Sequence, residues 1–465
     1  MRSCGDLRGE QMRPRSSIPW IVCVVSTVCL VAGGCVMFFT PAPSVKAVTP
    51  ITLLLSGEMN GLIEPCRCSE RQLGGISRRA GIIKSIASQP LNVLTLDNGD
   101  VVSMMGRQEE LKYETAIMAM NRMGYAAMGV GEGDLALGLD YLVSMQEVAQ
   151  FPFLCANLLR DGKRVFPSHV TRPVKGGPGE PSVSVVGILS PKFDQRVKSL
   201  DPRLSVVRPG PDFRALIESL VEGSQLIVAL AHMSVAEGTA LAKQFPQLDV
   251  VVCGHGLDEP LAQPVNAGKA LVVNTGTKGR SLVRLDIAGR TETGRPVAKY
   301  GVIRLLPELL EATDVATLFS EYVAIVRNEG LLDEMRRFDL PKGGPYAGSY
   351  ACQYCHETAF DVWKKSAHAK ALATLQQLTP RRDHDPECVA CHVVGYPHLT
   401  GFESLAKTPA LAGVGCESCH GPGAEHIKDT RKPYTRSGER ECLACHTADQ
   451  SPHFSYRKHF AKIKH

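Results

Sequence analysis

The sequence predicts a layered α/β domain followed by a small domain built on a repeated cysteine and histidine motif, and three observations carry that prediction. Apolar β-type runs alternate with helix-patterned segments from residue 50 to about 305. The pattern Cys-x-x-Cys-His occurs four times after residue 350. Between the two parts, "PKGGPYAGSY" at 341–350 interrupts the chain with proline and glycine. A length of 465 residues suits two or three domains. With 44% hydrophobic and 21% charged residues the composition is that of a globular protein, which excludes wholesale disorder. The formal charge of +5 is scattered and no block of Lys and Arg resembles a nucleic-acid stripe, so no nucleic-acid partner is expected.

In the first part, "ITLLLSG", "LNVLTLDNGD", "VSVVGIL", "QLIVALAH", "DVVVCGHG" and "ALVVNTG" read as strands ending in Gly, His or Asp. "ISRRAGIIKSIA", "YETAIMAMNRMG" and "DFRALIESLVEG" read as the helices between them. Polar residues at strand ends mark where the active site of such a sheet lies. Residues 306–340 carry apolar side chains at spacings of three and four and read as a helical connector.

The first 47 residues read as an export signal or a retained membrane anchor. Arg2, Arg8, Arg13 and Arg15 precede an almost uncharged run of 22 residues from Ile18 to Phe39, long enough to span a bilayer. Cleavage after Ala47 is the rival reading, and either one places the rest of the chain outside the cytoplasm.

The last eight of the 16 cysteines form the pairs Cys352/Cys355, Cys388/Cys391, Cys416/Cys419 and Cys442/Cys445. Each pair is followed by a histidine: His356, His392, His420 and His446. Disulfides would suit an exported chain, and zinc ribbons also use Cys-x-x-Cys. The ribbon reading expects pairs roughly 15 to 20 residues apart and has no need of a histidine after each. Here the gaps hold 32, 24 and 22 residues. The full motif is that of c-type haem attachment, in which two thiols bind the porphyrin vinyl groups and the adjacent imidazole is the proximal iron ligand. Four such motifs predict four covalently attached haems.

Each iron has a second axial position, and His368, His384, His398, His426, His453, His459 and His465 are available for it. Three stand out. His368 sits in the helix-like "FDVWKKSAHAKAL" between two alanines, small enough to admit a porphyrin face. His426 follows the "GPG" turn after His420, and His465 ends the chain, where a ligand bond would hold the tail. The fourth iron takes one of the others or stays open. Residues 341–465 have few large aliphatic side chains, and haem would supply the missing apolar core.

"YAGSYACQYCHETAFDVWKKSAHAKAL", "PECVACHVVGY" and "VGCESCHGPGAEH" resemble the tetrahaem cytochrome c family that accepts electrons from hydroxylamine oxidoreductase, over about residues 346–465. The resemblance implies a compact, mainly helical domain with closely packed, mostly bis-histidine haems and redox protein partners.

The strand ends of residues 48–305 resemble the calcineurin-like metallophosphoesterases of the 5'-nucleotidase branch, through "SGEMNGLIEP", "LDNGD", "AMNRMGYAAMGVGEGDLALG", "ALAHMS" and "VVCGHG". The resemblance implies an αββα sandwich whose site clamps two metals and activates water. Carried over residue by residue, the family's Asp-x-His becomes Glu58 and Asn60, and Asp100 matches the bridging aspartate. The Asn-His pair becomes Glu132-Gly133, His232 and His255 are retained, and Leu257 replaces a further histidine. One metal site therefore loses its ligands, and Asp100, Glu132, His232 and His255 are left to converge on the other, with Glu58 and Asn60 as weaker candidates. Such donors suit Mn, Fe or Zn. The alternative is a metal-free scaffold whose polar groups bond to one another. Cys66 and Cys68 stand beside this site as a disulfide or thiol pair, or as soft metal ligands that handle a sulfur substrate.

The expectation is thus an exported, membrane-anchored or secreted electron carrier whose front domain docks partners or binds a small molecule. The alternative is a hydrolase or oxidoreductase acting on a small phosphorus or sulfur compound at a one-metal site. Two-metal phosphoesterase activity is not expected, because its ligands are replaced.

Overall fold

The computed structural model describes residues 45–65, 71–176, 181–340, 344–432, 434 and 437–465. The N-terminal signal or anchor segment up to residue 44 lies outside the described residues, as do Cys66 and Cys68. Among the described residues, no helix is long and apolar enough to cross a membrane.

Two six-stranded sheets face each other. One runs, edge to edge, Pro296–Arg304, Ser281–Arg290, Lys46–Ser56, Val93–Asp97, Ala127–Gly129 and Phe153–Leu154. The other runs Val265–Ala267, Ala270–Asn274, Val250–Cys253, Leu226–His232, Ser182–Leu189 and His169–Pro173. The middle strands of both are parallel and nearly all apolar, as strands covered on both faces must be. Their two-residue period sorts the side chains. Ile51, Leu53 and Leu55 enter the core between the sheets, whereas Leu54 points outward under the helices Ile76–Ala87 and Arg107–Met123. The helices Pro211–Ser219 and Val235–Gln244 cover the far sheet, giving the αββα order. The long helix Arg107–Met123 stops at Gly124, whose φ of 71° is the left-handed conformation favoured at helix ends.

The 306–340 segment is less of a connector than its periodicity implies. Its helix, Thr313–Asn328, packs against the front helices and buries Val315, Leu318, Tyr322, Val323 and Val326 in their core.

Beyond it lie short helices, including Glu357–Lys365, Ala371–Gln376, Cys416–His420 and Tyr456–Phe460. The apolar cluster of this part has eight buried members, among them Leu372, Val389, Val394 and Phe402. The continuous helix expected around His368 is broken. Ser366 is extended, its hydroxyl donates to the Trp363 carbonyl, and the Trp363 indole donates to Val414 O at 2.8 Å. This break starts a new turn at His368–Lys370.

The two parts meet through polar contacts. Gln108 donates to Asp385 at 2.8 Å, the Arg382 guanidinium lies 4.7 Å from the Phe319 ring, and Lys112 pairs with both Glu109 and Glu387.

Candidate functional site

Five side chains converge at the carboxyl ends of five parallel strands. Glu58 follows Lys46–Ser56, Asp100 follows Val93–Asp97, Glu132 follows Ala127–Gly129, His232 ends Leu226–His232, and His255 follows Val250–Cys253. This is where an open α/β sheet places its chemistry. Ligand atoms of Glu58, Asp100, His232 and His255 all lie within 4.8 Å of one another. Around His232 Nε2, a Glu132 oxygen is at 3.0 Å, Asp100 at 3.4 Å and Glu58 at 3.5 Å. His255 Nε2 lies 2.8 Å from His232 Nε2 and 3.1 Å from Glu132.

Local backbone explains the convergence. Glu58 and Asp100 have φ of 52° and 51°, a left-handed conformation that non-glycine residues hold only when their surroundings fix it. The buried Asp134 carboxylate provides that fixing, accepting the N–H groups of Asp100, Val101 and Gly131 at 2.9, 2.8 and 3.0 Å. Glycines make the room. A Cβ at Gly131 would stand 2.0 Å from Asp100 Oδ1, and one at Gly254 would stand 2.2 Å from Glu58 Oε1.

The arrangement fits a cation better than a self-satisfied scaffold. His232 Nδ1 donates to the Asn98 carbonyl at 2.7 Å, leaving Nε2 with its lone pair toward the cluster. Two imidazole nitrogens at 2.8 Å then share at most one proton. Glu58 Oε1 is buried without a hydrogen-bond partner, an expensive state that a metal bond removes. Burial pushes the Glu58 carboxyl up to about 7, with Asp100 and Glu132 adding to the rise against the two histidines. Burial acts the same way on Glu132, but hydrogen bonds from His232 and His255 outweigh it and hold that carboxyl down. For both histidines burial opposes protonation. The neighbouring carboxylates nonetheless raise His232 well above its ordinary value and raise His255 as well. At the mouth, the half-exposed Arg196 reaches Glu132 at 3.0 Å, and the Phe193 ring lies 4.9 Å from that of His255.

Two of the weaker sequence candidates separate. Glu58 joins the cluster. Asn60 does not, because its amide donates to the Glu58 carbonyl at 3.1 Å and to Thr277 at 3.0 Å. Asp134, Arg196 and the glycine cradle escaped the sequence reading, although the alternating glycines of "GVGEGD" were a visible sign of close packing.

In the C-terminal part, no two of the eight motif cysteines are joined in a disulfide. Among the described residues, the Glu58 cluster is the one group of three or more metal-ligand side chains. The histidines pair instead. His356 faces His426 with ring centres 6.4 Å apart, His446 faces His368 at 6.2 Å, and His420 faces His465 at 6.0 Å. Two imidazoles sharing one iron, each bonded at about 2 Å, have ring centres about 6 Å apart. Among the described residues, no histidine ring is paired with His392, whose Nδ1 donates to Ala371 O at 2.6 Å. His398 bonds to Tyr346, and His459 stacks on Phe454.

Burial sets one of the eight motif cysteines apart. Cys355 is exposed, whereas the other seven motif cysteines are partly buried. Its neighbour Tyr354 is 94% exposed as well. The first motif therefore encloses one of its two sulfurs and holds the other at the protein surface, a difference that identical spacing in all four motifs does not encode.

Side chains absent from the sequence reading fix the histidine rings. Tyr434 stacks on His426, and Phe454 stacks on His446 with planes 13° and 10° apart respectively. Glu417, buried inside the third motif, accepts the N–H groups of Ala347, Gly348 and Gly423 and ties two loops to the motif helix. The thiols of Cys352 and Cys416 touch, as do those of Cys391 and Cys445, so the first motif abuts the third and the second abuts the fourth.

Fold and donor sets together describe a two-part protein, an α/β sandwich with one mixed nitrogen and oxygen cluster joined to a region of short helices that carries four Cys-x-x-Cys-His motifs. Residues 351–421 match the family described as cytochrome c554 and c-prime. Over 140 residues the chain is 34% identical to cytochrome c-554 of Nitrosomonas europaea, covering 23% of this chain and 60% of that protein. The front part is 28% identical over 274 residues to the snake venom 5'-nucleotidase of Gloydius brevicauda, covering 53% of this chain and 42% of the relative. The chain thus spans less than two thirds of each of these curated relatives. Among solved structures, a 5'-nucleotidase precursor from Thermus thermophilus shares the fold with a TM-score of 0.51 at 21% identity, over 60% of this chain and 59% of that one. The sulfate thiohydrolase SoxB of Thermus thermophilus does so at 0.53 and 18%, over 66% and 68%. The cytochrome c match implies haem, and the three histidine pairs fit it.

Proposed function

We propose that this protein is an exported, multihaem c-type cytochrome that carries electrons between redox proteins, with a front domain that docks a partner or binds a small molecule. The three facing histidine pairs are the observation that carries this reading. Haem supplies one-electron chemistry. The chain's own residues do the rest. The eight paired cysteines anchor four macrocycles, with Cys355 bonding from the exposed side of the first. His356, His392, His420 and His446 serve as proximal ligands, and His426, His368 and His465 close three of the distal positions. The sulfur contacts between motifs bring the attachment points of neighbouring groups together. The basic and apolar N-terminus supports export and a membrane anchor.

A second reading rests on the unsatisfied Glu58 oxygen. In it, Glu58, Asp100, Glu132, His232 and His255 hold one Mn, Fe or Zn, and the front domain acts on a small phosphorus or sulfur compound.

Spectroscopy of the purified full chain tests the first reading. One haem in four is expected to be high-spin and to turn low-spin on adding cyanide, because among the described residues no histidine ring is paired with His392, while the other three stay low-spin throughout. Four low-spin haems before any addition would mean that another side chain closes the fourth site, and a chain with no haem spectrum at all would contradict the reading.

A further inference from the structure

The junction between the two parts contains an ion-pair bridge that neither the haem motifs nor the metal cluster requires. Lys278 and Arg280 both reach Asp449, Arg280 at 2.8 Å on one carboxylate oxygen and Lys278 on the other. Asp449 follows His446, the proximal histidine of the fourth motif, by three residues. At its other end the bridge is bonded to the cluster. The Lys278 backbone N–H donates at 2.6 Å to the carbonyl of Glu58, whose side chain is a cluster ligand. Lys278 has φ 60° and Glu58 φ 52°, so two non-glycine residues hold left-handed conformations on either side of this one hydrogen bond. Such strain persists where the surroundings over-determine it.

The bridge crosses a polar cavity of about 220 Å³, lined by Asn60 and Gly61 from the Glu58 loop, Lys112 and Glu387 beside the second motif, and Ala448 and Asp449 after the fourth. An apolar interface would hold the two parts together without specifying register. Ion pairs fix register and respond to charge on either side.

We propose that the Lys278, Arg280 and Asp449 bridge couples the Glu58 cluster to the fourth Cys-x-x-Cys-His motif, so that a divalent cation in the front part and an electron in the C-terminal part bind cooperatively. The inference rests on the haem reading above. An added electron makes the C-terminal part more negative and favours a cation held against the same bridge. By linkage the cation favours the electron equally. The front domain then acts as a cation-responsive control on the redox part. Lys278 and Asp449 are positioning residues, touching neither metal nor haem.

The test uses the full, haem-loaded chain and manganese(II) alone as probe, titrated against the oxidised and the dithionite-reduced protein. Manganese is expected to bind about tenfold more tightly to the reduced form, and the same factor appears as a rise of about 59 mV in the midpoint of one haem. In Asp449→Asn the difference should shrink to within about twofold, while haem content and manganese affinity of the oxidised form stay as in the parent. Lys278→Arg should retain it. Arg280→Gln, which leaves one cation on Asp449, should show an intermediate value and serves if Asp449→Asn fails to assemble. Equal affinity in the two redox states of the parent protein overturns the proposal, as does coupling that survives intact in Asp449→Asn. A chain that carries no haem sinks the underlying reading first, and is recognised by its lack of colour before any titration.

Discussion

Exchanging Cys416 and Cys419 for serine is expected to lower the haem content from four to three per chain and to expose the C-terminal part to proteolysis at least about tenfold faster. The reason is the poverty of its core. Eight buried apolar residues form the one hydrophobic cluster described there, and one of these, Leu332, precedes the domain boundary. A macrocycle burying roughly 400 Å² of apolar surface, about twice a large aromatic side chain, contributes on the order of 10 kcal/mol. That is comparable with the whole stability of an ordinary domain. Losing the third haem also leaves His420 and His465 with no iron to share and loosens the helix that holds Glu417, whose carboxylate pins Ala347, Gly348 and Gly423. Haem content measured by the pyridine haemochrome spectrum, with a protease time course, checks both halves of the expectation. Unchanged content and resistance would mean that the third motif attaches no haem.

The second large effect falls on the front domain. His232→Ala should weaken manganese binding by at least about 100-fold, since loss of a supporting group alone costs 10- to 100-fold and this is a ligand. His232 is fully buried, its tautomer is set by Asn98, and its Nε2 is within 3.5 Å of three carboxylates. Asn60→Ala, by contrast, should change affinity by less than about twofold, because that amide is spent on Thr277 and a backbone carbonyl. Calorimetric titration of the two variants separates a live site from a metal-free scaffold. A scaffold binds nothing in the parent protein, and an Asn60 effect as large as that of His232 would mean that the ligand set is misassigned.

Much of this was legible in the sequence because it lies in local patterns. Parallel strands covered on both faces must be apolar throughout, so "ITLLLSG" and "QLIVALAH" announced themselves, and Glu58, directly after the first run, and His232, at the end of the second, fell at the cluster. The cysteine and histidine spacing carried its own chemistry, although it gave no sign that Cys355 lies exposed while Cys352 is partly buried. The pairing of His368, His426 and His465 with particular motifs was not legible, because it depends on where short helices stop. The break at Ser366, which starts the turn carrying His368, depends on a hydroxyl and an indole finding backbone carbonyls, one of them 51 residues away. The inclusion of Glu58 and exclusion of Asn60 turned on the left-handed loop that carries both and on the amide bonds of Asn60 to the Glu58 carbonyl and Thr277, which strand periodicity does not encode. The helix Thr313–Asn328 showed its apolar stripe in the sequence but not the partner that covers it.

The most direct test of the account is the cofactor content of the purified full chain, produced in a host that matures c-type cytochromes. Four haems and one further tightly bound Mn, Fe or Zn per chain are expected, with the non-haem metal lost in His232→Ala. A colourless protein carrying zinc on its cysteines would contradict it.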